Sequence, residues 1–396
     1  MNKYIKMRSG RARNVIFSLL ISVVFFLFIS GSEVAIDYMK KGLELCARTV
    51  IPSLFPLMAI SQLAVRFGSG RLLGKLFSLP AKWLLGVGED SACAFVFGAV
   101  CGFPIGASTL CDAYDSGRIS KREFVRSLTF CNNPGAAFVI SAVGVSLFGS
   151  LRLGIVLFVC VILSALAVGI AQRLIFGSVV DGNEKFNGGV FEASGGIISS
   201  FTSAIQSSAL SMLTVCAYVV FFSALVGCIG AVLSKIGANS TVIAAIFGFF
   251  ELSGGVRAAA ELSPAFAIIL SSVALGWSGL SVHCQIMTIC AGRGISFKPY
   301  FFAKAVQSLV CAALVYLVKR LPVFSEDAFA EVGRNEIEIG NSPLVIWIFV
   351  AFCALVAVGF LVRILRRNRV KKFFKKILKK GLTNRFLFDI IYKSSR

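Results

Sequence analysis

Residues 262–292 read LSPAFAIILSSVALGWSGLSVHCQIMTICAG, a run without a single Asp, Glu, Lys or Arg. About 20 apolar residues suffice to cross the hydrocarbon core of a bilayer, so a charge-free run of this length is a membrane segment. It is not a plain one. Gly276-Trp277-Ser278-Gly279-Leu280-Ser281-Val282-His283-Cys284-Gln285 sits in its middle, and a glycine-bounded polar insert interrupts a helix. Inside a bilayer, irregular backbone survives only where protein or a water-filled cavity satisfies its N–H and C=O groups. Residues 197–234 and 341–362 are equally free of charge. With 57% hydrophobic and only 15% charged residues, and a mean hydropathy of +0.85, the chain lies outside the range of soluble domains. The fold class this implies is an all-α polytopic membrane protein; a soluble enzyme and a disulfide-built secreted module are excluded.

Working outward from that insert, the second half (197–319) opens with the long apolar run 197–234. Thr241 to Phe250 then runs into Glu251-Leu252-Ser253-Gly254-Gly255, and Pro299 to Val318 reads as a plain span with Lys304 near one end. The first half (50–172) has the same plan. Val50 to Val65 contains Pro52 and Pro56 and is expected to kink. Leu72 to Leu85, interrupted by Lys75, Pro80 and Lys82, fits a re-entrant or interfacial hairpin. Ser91 to Cys111 is broken by Gly102-Phe103-Pro104-Ile105-Gly106, a charged loop follows at Asp112 to Arg126, and the next apolar run opens with Cys131-Asn132-Asn133-Pro134-Gly135. Leu153 to Gln172 is a span. Gly/Pro-interrupted segments at matching places in two halves are the mark of a transporter built from two structural repeats with broken or re-entrant helices.

Flanking these halves, residues 1–49 hold a basic start, an apolar run from Val15 to Ser30 read as an uncleaved first membrane helix, and an amphipathic helix from Glu33 to Arg48 expected along the interface. Residues 173–196 are a polar linker, 320–342 an acidic non-cytoplasmic loop, 343–362 a final membrane helix and 363–396 a basic tail. The net charge of +21 is mostly terminal, with 17 of it in residues 1–13 and 363–396. That distribution points to a membrane surface and not to nucleic acid, and it places both termini in the cytoplasm. Val370, Phe373, Phe374, Ile377 and Leu378 recur at helical spacing among lysines, as in an amphipathic helix on anionic lipids. The 12 cysteines include no CxxC pair and are read as reduced packing residues.

The four interrupted motifs mark the expected cavity. Gly102, Pro104, Gly106, Gly135 and Gly254 permit unwinding or close approach, and half-helix N-termini offer free N–H groups to an anion. Asn132 and Asn133 are amides in an apolar setting, expected to contact the substrate. Ser253, Trp277, Ser278, Ser281, His283 and Gln285 supply hydrogen bonds and a stacking surface for a planar polar ligand, with Phe138 a second candidate ring. Glu251 is an intramembrane carboxylate and so a candidate for ion coupling, the competing reading being a structural pair with Arg257. His283 is the only histidine, so no multi-histidine metal site can form. No nucleophile motif accompanies Ser281, and no GxxxxGK[ST] loop is present. The expectation is a carrier of a small polar solute, not an enzyme, working without cofactor. A nucleoside carrier and a non-transporting membrane scaffold stay open on the residues alone, as does the oligomeric state.

The succession Ser53-Leu54-Phe55-Pro56, Gly102-Phe103-Pro104-Ile105-Gly106-Ala107, Ser116-Gly117-Arg118-Ile119-Ser120, Phe130-Cys131-Asn132-Asn133-Pro134-Gly135, Glu251-Leu252-Ser253-Gly254-Gly255 and Gly279-Leu280-Ser281-Val282-His283 resembles the sporulation integral membrane family YlbJ. The resemblance covers about residues 50–318, and the long basic tail and final span have no counterpart in it. That family is related to nucleoside-recognition or gate domains. What the resemblance implies is a role in endospore formation, moving dipicolinic acid across the outer forespore membrane.

Overall fold

The computed structural model describes residues 2–67, 69–179 and 196–319. The acidic loop, the final membrane helix and the basic tail expected after residue 319 lie outside the described residues, as does most of the linker. All regular structure among the described residues is helical, and four helices there are long and apolar enough to cross a membrane: Leu151–Phe176, Ile198–Lys235, Pro264–Ile289 and Lys298–Val318. Two bent pairs add to them, one turning by 93° between Asn14–Ser30 and Ser32–Arg48, the other by 98° between Gly74–Leu85 and Glu89–Val100.

The chain begins with α1 (Asn2–Ser30) and α2 (Ser32–Leu45), leading through a π-turn into α3 (Ile51–Arg66), which carries Pro56 internally. The amphipathic helix expected at the interface places its small residues against another helix: a Cβ on Gly42 of α2 would meet Ser223, and one on Gly227 would enter the Tyr38 ring. Ser223 and Gly227 belong to α9 (Gly196–Lys235), a continuous 40-residue helix on which α2 and α3 pack. The sequence reads residues 197–234 as the kinked counterpart of α3, but no glycine or proline breaks α9, and its ladder runs unbroken.

Between these supports lie α4 (Ser69–Pro80), α5 (Glu89–Val100), α6 (Ile105–Asp115), α7 (Lys121–Leu128), a wide π-helical segment at Ala137–Leu147 and α8 (Leu151–Phe176). After α9 come α10 (Ser240–Phe250), α11 (Leu252–Ala260), α12 (Pro264–Trp277), α13 (Gly279–Ile289) and α14 (Lys298–Lys319). Four of these starts have a local chemical cause. Ser120 Oγ accepts from Glu123 N at the head of α7, Ser150 Oγ from Leu153 N at α8 and Asn239 Oδ1 from Thr241 N at α10, while Pro264 occupies the first turn of α12, where its missing N–H is no loss.

Two helical hairpins result, one in each half. A Cβ on Gly98 in α5 would lie 3.3 Å from Cα of Gly106 in α6. Eight residues along a straight helix span roughly 12 Å, so the chain has doubled back at the Gly102 break. In the second half a Cβ on Gly255 in α11 would come within 2.1 Å of Cα of Gly248 in α10, and the chain doubles back at Glu251. α12 packs on α14 and the π-helical segment on α8, the latter through Gly144 against Gly154. The same order of hairpin, broken segment and span therefore occurs twice.

Candidate functional site

Left-handed backbone creates both inter-motif contacts. Gly102 has φ +86°, and a Cβ there would stand 2.7 Å from Gly135 N. Gly279 has φ +79°, and a Cβ there would stand 2.9 Å from Leu252 N. Glycine is the residue for which neither the dihedral nor the approach is costly. In each half, the tip of the hairpin thus touches the break of the helix that follows it. Ser278 is the one described non-glycine residue with positive φ, at +79°, and it forms the corner between α12 and α13.

A cavity of about 500 Å³ opens between these contacts, within the range of about 300–1,000 Å³ that takes small ligands. All four motifs reach it: Gly102 and Phe103, Pro134 and Gly135, Glu251 to Ser253, and Ser281 with Gln285. Leu45, Val50 and Leu54 close one side, Val215 and Val219 of α9 another, and Phe138, Ser141 and Ser146 come from the π-helical segment. A second cavity of about 490 Å³, walled largely by α2, α9, α10 and α11, shares Leu45, Glu251, Ser253 and Arg257 with the first.

The two charged side chains shared by the cavities play different parts. Glu251 is buried, and its carboxylate caps α11, one oxygen accepting from Ser253 N at 2.9 Å and the other from Gly254 N. Arg257 lies two turns further along, is exposed to the cavities, and forms no ion pair or hydrogen bond among the described residues. The Glu251–Arg257 ion pair, the competing reading of the sequence, does not form; the carboxylate instead serves the helix N-terminus. What remains is a guanidinium with no direct polar contact among the described residues, sharing with the Glu251 carboxylate a largely apolar hollow lined also by serine and glutamine. Arginine presents five donors in a planar fork suited to a carboxylate.

Of the residues singled out in the sequence, Gly102, Gly135, Ser253, Ser281, Gln285 and Glu251 line the first cavity and Gly254 the second; Phe138 lines the first as well. Pro104, Gly106, Asn132, Asn133, Trp277, Ser278 and His283 line neither. Gly106 is spent on packing, since a Cβ there would lie 2.1 Å from the Cys131 carbonyl. Trp277 stacks on Phe249 at 5.5 Å and donates Nε1–H to its carbonyl at 3.0 Å. His283 sits among Trp277, Tyr300 and Phe301, with Nδ1 2.9 Å from the Tyr300 hydroxyl and Nε2 unpartnered.

Both asparagines are fully buried, and their partners are protein groups. Asn133 Nδ2 donates to the Phe130 carbonyl at 2.8 Å, and its Oδ1 accepts from Gln307 Nε2 at 2.8 Å and from Lys304 Nζ at 3.4 Å. Asn132 Nδ2 donates to the Leu128 carbonyl, its own carbonyl accepts from Lys304 Nζ, and its Oδ1 is left without a partner. The sequence places Lys304 only as a charge near one end of a span and does not single out Gln307; neither is a site candidate there. Their spacing of three on an otherwise apolar helix was the available signal.

These features define a class: an all-α polytopic membrane protein whose paired hairpins and broken helices enclose a solute-sized cavity. The chain is 28% identical to the sporulation integral membrane protein YlbJ of Bacillus subtilis (strain 168), over 76% of this chain and 82% of that one. The similarity runs over most of both chains, and the protein is an integral membrane protein. No family model matches it, and no solved structure does.

Proposed function

We propose that this protein is a carrier and not an enzyme, and that it moves a small planar anion, dipicolinic acid foremost, across the outer forespore membrane during sporulation. The observation behind this reading is Arg257, which makes no ion pair or hydrogen bond among the described residues and lines a cavity reached by all four interrupted motifs. Dipicolinate is a flat aromatic dianion. The guanidinium fork suits one carboxylate, Gln285, Ser281 and Ser253 offer donors for the other, and Phe103 and Phe138 offer faces for the ring. The second cavity, sharing Leu45 and Arg257, suits a continuation of the path. Both termini are taken to be cytoplasmic on the charge distribution, with the basic tail against anionic lipid.

The test is uptake into liposomes containing the purified full chain. Dipicolinate should enter, uridine should not, and Arg257→Gln should lower dipicolinate uptake at least tenfold while leaving the amount of inserted protein unchanged. Uridine entry without dipicolinate entry would return the nucleoside reading. Movement of neither solute, with spore dipicolinate normal after gene deletion, would leave a scaffold role.

A further inference from the structure

Lys304 is a charged side chain with no exposed surface, set in a membrane helix and outside both cavities. Such a residue is rare unless it has work to do, because an ammonium in hydrocarbon costs about 2.5–3.5 kcal/mol even on the mildest scale. Its environment is specific. Nζ donates to the backbone carbonyl of Asn132, to Gln307 Oε1 at 2.9 Å and to Asn133 Oδ1 at 3.4 Å. None of its partners is a carboxylate, and no acid pairs with it among the described residues. The three acceptors are neutral carbonyl-type oxygens, and one belongs to the unwound chain just beyond the C-terminal, partially negative end of α7.

That donor set is the one a dehydrated monovalent metal ion takes in repeat-built carriers, where unwound carbonyls and half-helix C-terminal ends hold sodium. We infer that Lys304 is a tethered cation, its ammonium filling a sodium-like oxygen site at the broken end of α7. The tether joins the first-half break to α14 of the second half, across 172 residues of sequence. The first-half break is then held together by the side chain's own nitrogen, without any free ion. A hydrogen-bond donor without charge does not substitute, because the oxygens and the α7 terminus present a negative potential that an uncharged group leaves unmet.

The experiment is thermal unfolding of the purified full chain in NaCl, KCl and N-methylglucamine chloride at equal ionic strength. Wild type should show the same midpoint in all three. Lys304→Ala, which vacates the ammonium volume and keeps the oxygens, should melt lower in N-methylglucamine and recover by several degrees as sodium or potassium is added, saturating as a binding site does. Lys304→Met fills the space with an apolar chain and should melt low in every salt. A Lys304→Ala midpoint that ignores the cation would overturn the inference, as would a wild-type midpoint that climbs with sodium. If Lys304→Ala does not accumulate, the exchange of Lys304→Gln with Gln307→Lys, which keeps one ammonium beside the same acceptors, should accumulate where Lys304→Gln alone does not. Equal failure of the exchange and of the single variant would also overturn it. Dipicolinate plays no part in these readouts, so they stand or fall separately from the solute carried.

Discussion

Glu251 and Arg257 illustrate how six residues of separation do not make a pair. The carboxylate serves two N–H groups at the head of α11, so Glu251→Ala removes the cap from two half-buried donors and should cost about 1–2 kcal/mol. Arg257→Ala removes no hydrogen bond among the described residues and should leave the melting midpoint of the purified chain unchanged. Equal losses in the two variants would mean that they are structural partners after all. Glu123 is a second buried carboxylate, outside the membrane-crossing helices: Oε1 accepts from Gly88 N and from Ser91 Oγ, both at 2.7 Å, at the start of α5. Burial pushes its carboxyl above the ordinary 4.5, with the Gly88 and Ser91 bonds pulling the other way. A carboxyl raised in the folded state favours folding when protonated, and that contribution is lost as pH rises from the unfolded value through the folded one. Glu123→Gln keeps the acceptor oxygen and does not titrate. Its midpoint should match wild type near pH 4 and exceed it at neutral pH; a gap that shrinks as pH rises would contradict the assignment.

At the scale of elements, the hairpins depend on backbone meeting backbone. A methyl on Gly98 would reach within 1.8 Å of the Cys131 carbonyl, and one on Gly255 within 2.1 Å of Gly248 Cα, and neither obstacle is a side chain that can turn away. Gly98→Ala and Gly255→Ala should each cost about 2 kcal/mol or more by overpacking, measured as loss of monodisperse protein on heating. Gly254→Ala meets only the movable Glu251 carboxylate at 3.0 Å and should be tolerated. These hairpins were legible in the sequence as Gly- and Pro-containing interruptions of charge-free runs, because a bilayer forbids unsatisfied backbone anywhere else. Which residues of each interruption face the cavity was not legible. Asn132 and Asn133 carried the right demand for partners, but Lys304 and Gln307 met it from α14, a choice made by tertiary packing at a distance no local pattern records. The kink expected in residues 197–234 failed for a simpler reason, since the inference came from matching the halves and α9 contains no residue that compels it.

For the molecule as a whole, a ligand in the central cavity bridges both hairpins and both broken segments, so its binding should stabilise the entire fold by mass action. Dipicolinate at about 100 times its dissociation constant should add about 2.7 kcal/mol, visible as a higher melting midpoint that Arg257→Gln abolishes. No shift in wild type at any concentration would count against the cavity as its site.

The length of α9 has a consequence for where this protein can work. Forty residues rise roughly 60 Å, about twice the hydrocarbon thickness of a bilayer. Ile198, Leu210, Leu213 and Val232 expose apolar side chains near both ends and in between. Upright, the helix would carry such side chains beyond the hydrocarbon, and a lean that keeps them in lipid would respond to bilayer thickness. Because α2, α3 and α13 rest on this one strut, a thicker or thinner bilayer changes the geometry beside the cavity. Uptake should accordingly pass through an optimum as phosphatidylcholine chains are lengthened, making membrane thickness a regulator of the protein in its own right.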